Sequence, residues 1–99
     1  MGDKVNNVDV SSIIDKLDKI KIIDIRDNYL YRMGNIPYSI NIPMNFLTMN
    51  PGNYLNKYDT YYIYCNMGIN SKRTCEILTN MGYNVINIIG GYNAYKLIQ

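Results

Sequence analysis

The stretch Thr60-Tyr61-Tyr62-Ile63-Tyr64 constrains this chain most. It is rich in aromatic and β-branched residues, which fit a pleated, half-buried surface, so it reads as a strand. It runs directly into Cys65-Asn66-Met67-Gly68-Ile69-Asn70, a compact loop with one glycine. A helical pattern follows from Ser71 to Met81, with Thr74, Ile77, Leu78 and Met81 on one face and Gly82 where a terminating glycine belongs. Strand, tight loop and helix in immediate succession are the building unit of a parallel sheet.

The rest of the chain repeats this alternation. Lys21-Ile22-Ile23-Asp24-Ile25 is a β-branched run that reads as a buried strand, and Asp27 to Met33 as a helical turn stopped by Gly34. Ile36 must be extended before Pro37. Ile40-Asn41-Ile42 is a short strand closed by Pro43, and Met44 to Tyr58 is loop and short helix broken at Pro51-Gly52. Asn84 to Ile89 is a further strand, Gly90-Gly91 a turn, and Tyr92 to Ile98 a last helix. Near the start, Ser12-Ile13-Ile14-Asp15 has the spacing of a capping box, so a helix is expected over 11–18. The pattern predicts an α/β fold with a mainly parallel sheet and right-handed crossovers. With 99 residues and no linker or repeat, one domain covering 1–99 is expected.

Composition excludes several classes. Hydrophobic residues make up 47% and charged residues 18%, which is not a disordered chain. The formal charge of +2, with no Lys/Arg run, gives no case for nucleic acid. No apolar run approaches the roughly 18 residues of a membrane span, and the leading MGDKVNNVDV has neither the apolar core of a secretory signal nor the pattern for myristoylation. A cytoplasmic, soluble monomer is the expectation. Histidine is absent, which removes every Cys-His, Ser-His and His-metal mechanism. The two cysteines, Cys65 and Cys75, make neither a disulfide framework nor a closed zinc site.

Cys65 is the residue placed for chemistry. It stands at the carboxyl end of a strand, where open α/β sheets bind ligands. The loop amides and the unsatisfied N–H groups of the following helix can converge there, and the helix dipole favours negative charge. That environment favours a thiolate over a thiol, so Cys65 can act as a nucleophile without a histidine base. Gly68 lets the loop curl. Ser71 is placed to cap the helix, and Lys72 and Arg73 add positive charge nearby. The plainer reading of Cys65 is a small buried apolar side chain. For Cys75 that plainer reading is stronger, since it sits beside Thr74 and Leu78; a disulfide with Cys65 is the alternative. The methionines and the tyrosines Tyr61, Tyr62 and Tyr64 read as packing residues.

These residues, in this order, resemble a single-domain rhodanese, a sulfurtransferase module. Ile23-Asp24-Ile25-Arg26 is similar to the family's Asp-x-Arg strand end. Gly34-Asn35-Ile36-Pro37 followed by Asn41-Ile42-Pro43 is similar to its Gly-His-Ile-Pro…Asn-Ile-Pro segment. Cys65 to Ser71 falls on its active-site loop, and Gly82-Tyr83, Val85, Gly90-Gly91 and Tyr95 on its closing pattern. The resemblance runs from Ile22 to Tyr95. It implies a three-layer α/β/α sandwich around a parallel sheet of about five strands. It also implies a Cys65 persulfide, formed from thiosulfate or another sulfane-sulfur donor and discharged to a thiol or cyanide, with no metal and no organic cofactor. Asn66, Met67, Gly68, Ile69, Asn70 and Ser71 would hold the donor through their amides. Asp24, Arg26 and Arg73 are expected to support the loop, Asp24 and Arg26 as a structural ion pair.

The departures are chemical. The family often has arginine at the first and last loop positions, which here are Asn66 and Asn70. Its Gly-His-Ile-Pro histidine is Asn35, expected to hold the turn. The loop carries no charged side chain, so thiosulfate, a dianion, is expected to react weakly. A less charged persulfide or polysulfide, or a protein partner meeting Met67 and Ile69, then becomes the expected donor. Two other readings compete. A phosphatase or arsenate reductase needs Cys-x5-Arg, but Ser71 stands at that position. A low-turnover persulfide carrier or protein-interaction module on the same fold would load sulfur without multiple turnover.

Overall fold

The computed structural model describes residues 5–99; the first four residues of the segment tested above for a signal lie outside this range. Five strands, β1 (Asn6–Asp9), β2 (Lys21–Asp24), β3 (Ser39–Asn41), β4 (Thr60–Tyr64) and β5 (Asn84–Ile89), form one sheet in the order β1-β5-β4-β2-β3. Every pairing is parallel. Four helices complete the chain: α1 (Asn28–Met33), α2 (Met44–Met49), α3 (Ile69–Asn80) and α4 (Gly91–Ile98). The expected α/β class and parallel sheet are as read from the sequence.

Alternation along the strands builds two cores, one on each face of the sheet. Ile23, Ile25, Tyr61, Ile63, Cys65 and Val85 pack with Leu47, Cys75 and Leu78 of α2 and α3. Ile22, Tyr64 and Ile88 face the other way and pack with Val10, Ile13, Leu17, Ile36 and Tyr95. The period-2 rule thus puts Cys65 on the α2/α3 face, in line with Tyr61 and Ile63.

Two expectations require correction, and one strand went unread. The helix over 11–18 is absent: Val10–Ser12 and Leu17–Lys19 are separate 3-10 turns, and no capping-box hydrogen bond forms. Short-range bonds from Ile13 N–H to Val10 O (3.1 Å) and from Lys19 N–H to Lys16 O (2.9 Å) close these turns instead. Val10, Ile13 and Leu17 are buried at a spacing that imitates a helix stripe. The strand β1 carries no signal in the residues' own pattern, because it is a polar edge strand (Asn6-Asn7-Val8-Asp9) with little burial. The buried stripe of α3 is Ser71, Thr74, Cys75 and Leu78, while Met81 is exposed.

Gly82 ends α3 as expected. Its φ is +94°, and the Gly82 and Tyr83 amides donate to the carbonyls of Thr79 and Leu78, each at 3.0 Å, in a Schellman arrangement. Among the described residues no helix is long and apolar enough to cross a membrane.

Candidate active site

The sheet order places β2 and β4 side by side, while the chain leaves β2 toward one edge and β4 toward the other. A crevice opens at the carboxyl ends of such strands. Here it is a cleft of about 460 Å³, lined by residues that follow β2 (Ile25, Arg26, Asp27), β3 (Pro43, Met44, Asn45) and β4 (Cys65 to Met67, Ile69, Asn70). Cys65 lies in it with its residue only 6% exposed.

The loop after β4 turns its amides onto the sulfur. Cys65 Sγ accepts from Gly68 N–H at 3.2 Å and from Ser71 N–H at 3.3 Å. Helix α3 begins at Ile69 with Gly68, in the left-handed region at φ +95°, as its N-cap. Glycine has no side chain to satisfy the first-turn donors, and Cys65 Sγ takes that place for Ser71. A negative charge on the sulfur would lie against the positive end of α3.

The other side of the loop is pinned by α4. Tyr92 N–H donates to Cys65 O at 2.8 Å and Asn93 N–H to Asn66 O at 3.0 Å. Carbonyls that would crowd the cradle are thereby drawn onto the α4 N-terminus. The approach is so close that a Cβ on Gly91 would run into Cys65 O and lie 2.8 Å from Asn66 O.

Arg26 and Asp24 form the expected ion pair, which reaches the loop. Asp24 is fully buried, and Arg26 donates to it from Nη2 (2.7 Å) and Nε (3.0 and 3.1 Å). Arg26 Nη2 also donates to Gly34 O at 2.7 Å, and Nη1 to Asn66 Oδ1 at 3.2 Å. The guanidinium carbon lies 4.4 Å from the Tyr92 ring centroid and 5.6 Å from that of Tyr64. Burial works against the Arg26 charge, but the hydrogen bonds and charge of Asp24 outweigh it and push the pKa up. Tyr64 is pushed up too, chiefly by burial. Asn35 holds its turn, its amide donating to Tyr31 O at 2.9 Å.

Two site expectations fail geometrically. Ser71 does not cap α3; it lies inside the first turn, and its hydroxyl donates to Asn87 Oδ1 at 2.6 Å. Arg73 and Lys72 do not line the Cys65 cleft but a separate hollow on the far side of the loop, with Glu76 and Ile89. They add no cation to the cleft. Cys75 is a free, fully buried thiol of the core. Burial, with the neighbouring Cys65 and Glu76 charges, pushes its pKa from 9.0 to about 12.

Sequence reasoning missed Asn87, Asn7 and the clamp by α4. Asn87 had a signal: it is a polar residue in the apolar run from Val85 to Ile89. Nothing in the sequence places Asn7 beside it without the edge strand.

Five parallel strands, a cysteine at the end of the central one, and amides turned onto its sulfur define a rhodanese-type architecture. A family model, the rhodanese-like domain, matches residues 8–97, and the chain belongs to that family. It is similar to the thiosulfate sulfurtransferase PspE of Escherichia coli, with 34% identity over 70% of this chain and 67% of the relative. It is also 32% identical to the adenylyltransferase and sulfurtransferase uba4 of Ogataea parapolymorpha over 76% of this chain, and spans 20% of that protein. Among solved structures, a rhodanese-like domain protein from Staphylococcus aureus superposes with a TM-score of 0.83 at 30% identity, over 92% of this chain and 91% of the other.

Proposed function

We propose that the chain is a sulfurtransferase that carries sulfane sulfur on Cys65. The observation that supports this best is the pair of amides from Gly68 and Ser71 on Cys65 Sγ at the floor of an open cleft. The thiolate attacks the outer sulfur of the donor and forms a Cys65–S–S⁻ persulfide. With thiosulfate, the S–S bond of the donor breaks and sulfite leaves with the electron pair. A thiol or cyanide then attacks the outer persulfide sulfur, and the Cys65 thiolate leaves. Two half-reactions through one covalent intermediate give ping-pong kinetics. The amides of the loop from Asn66 to Ser71 would take the donor's anionic oxygens and the persulfide charge, as an oxyanion hole does. None of these steps requires a metal or an organic cofactor.

The cleft favours a donor of low charge. Its cation, Arg26, is already committed to Asp24, and Asp27 adds a carboxylate to the lining. Met67 and Ile69 are 64% and 73% exposed beside it. Persulfides, polysulfides or a protein-borne persulfide fit this lining better than thiosulfate. The exposed pair also supports the second reading, a persulfide carrier that meets a protein partner.

Thiocyanate formation from cyanide, with polysulfide and thiosulfate compared as donors, tests the assignment. Multiple turnovers that cease in Cys65→Ser are expected. A single stoichiometric release of sulfur would select the carrier, and activity retained in Cys65→Ser would overturn both readings.

A further inference from the structure

Behind Cys65 lies a chain of polar side chains that the sulfur chemistry above does not use. Asn7 and Asn87 stand opposite one another in the register of β1 and β5, so their side chains rise on the same face of the sheet. Asn87 is only 3% exposed. Its Nδ2 donates to Asn7 Oδ1 at 3.0 Å. That bond fixes which way the amide points and leaves Asn87 Oδ1 to accept the Ser71 hydroxyl at 2.6 Å.

A hydroxyl has one proton to donate. With that proton on Asn87, Ser71 Oγ offers lone pairs to Cys65 Sγ at 3.4 Å, an arrangement that suits an S–H donor. A thiolate needs the opposite polarity. The hydroxyl must turn and donate to the sulfur, releasing Asn87.

We propose that Asn87 is a positioning residue that acts through Ser71 to set the balance between thiol and thiolate at Cys65. Asn87 competes with the sulfur for the single Ser71 proton and favours the thiol at rest. On ionisation the thiol proton goes to solvent, the negative charge stays on Sγ, and the Ser71 proton swings from Asn87 Oδ1 to Sγ. No other group changes charge. The Gly68 and Ser71 amides donate to the sulfur in either state, so the two devices oppose one another. Asn7, on an exposed edge strand, holds the far end.

The elements around this unit carry several charged or titratable groups. Cys75 lies below on α3, and the Arg26–Asp24 pair and Asp27 follow β2. Asp9 ends β1, Lys96 of α4 sits over the Tyr92 ring, and Lys72, Arg73 and Glu76 line the hollow beyond the loop. All are common to the variants compared below, so their contributions cancel.

The test is the pH dependence of iodoacetamide alkylation at Cys65, read from the mass of the peptide that carries it. It rests on Cys65 being the reacting group, as in the sulfurtransferase reading, but needs no sulfur donor, so the two can fail separately. Asn87→Leu should move the midpoint down by about one pH unit, tenfold in the thiolate-to-thiol ratio, the scale of one hydrogen bond to a charged group. In a Ser71→Ala background the same substitution should move nothing. An unchanged midpoint in Asn87→Leu, or an equal shift in both backgrounds, overturns the proposal. Asn7→Ala, which leaves the core intact, carries the test if Asn87→Leu fails to fold. It should give a smaller downward shift that also vanishes without the Ser71 hydroxyl, and an unmoved midpoint there is equally decisive against it.

Discussion

Arg26 Nη1 donates to Asn66 Oδ1 at 3.2 Å, which ties the residue next to Cys65 to an ion pair buried beneath the cleft. One guanidinium thereby joins the end of β2, the carbonyl of Gly34 and the loop after β4. Removing it strands the fully buried carboxylate of Asp24. Arg26→Met should destabilise the fold by about 3–5 kcal/mol, the usual cost of an uncompensated buried charge. Urea unfolding measures this. A loss below roughly 1 kcal/mol, the scale of an exposed pair, would mean the ion pair is not structural.

The clamp by α4 makes a second prediction. Gly91 has φ +57° and its missing Cβ faces the carbonyls of Cys65 and Asn66. Gly91→Ala should cost roughly 1–3 kcal/mol for the left-handed backbone alone, and more from the displaced loop. Sulfur loading of Cys65 should fall with it. Gly52→Ala is the control, because its Cβ would meet only Tyr83 Oη at an ordinary 3.7 Å. Equal effects of the two substitutions on loading would exclude a specific role for the α4 contact.

Charge in the loop should govern donor choice. Asn70 is exposed and lines the cleft. Asn70→Arg should improve thiosulfate use by about ten- to a hundredfold in kcat/KM, the value of one charge-assisted contact of about 1.5–3 kcal/mol. Polysulfide kinetics should change far less. Steady-state rates with both donors decide this, and parallel gains with each would show that the arginine acts on something other than donor charge.

Stability should fall in alkali. Cys75 is held as a thiol up to about pH 12 in the fold, against an ordinary value of 9.0. Between these values the unfolded chain has lost a proton that the folded chain keeps. Stability is therefore fully present below pH 9 and declines as pH rises, by about 1.4 kcal/mol per pH unit from this one group. Tyr64, pushed in the same direction by burial, adds to the decline. Denaturant midpoints between pH 8 and about 10.5 check the sign, and Cys75→Ala should flatten the slope.

How much of this was legible in the sequence follows from burial. The strands β2, β4 and β5 are buried, so their apolar runs carry a clear signal. The edge strand β1 is polar and mostly exposed, so its residues have no apolar pattern to read. The segment from Val10 to Lys19 buries residues at helix-like spacing but folds as 3-10 turns, and spacing cannot distinguish these. Cys65 and its loop were readable because strand, loop and helix are contiguous. The hydrogen bonds from Asn87 to Asn7 and from Arg26 to Asn66 span 80 and 40 residues. Such contacts depend on the sheet order, which no local pattern encodes.

The central claim is that Cys65 carries sulfur. Its most direct test is the intact mass of the protein after treatment with polysulfide or thiosulfate and desalting, beside Cys65→Ser. The account predicts a gain of one sulfur atom, absent in the variant, removed by cyanide, and reached more readily with polysulfide. No gain with either donor, or an equal gain in Cys65→Ser, would contradict it.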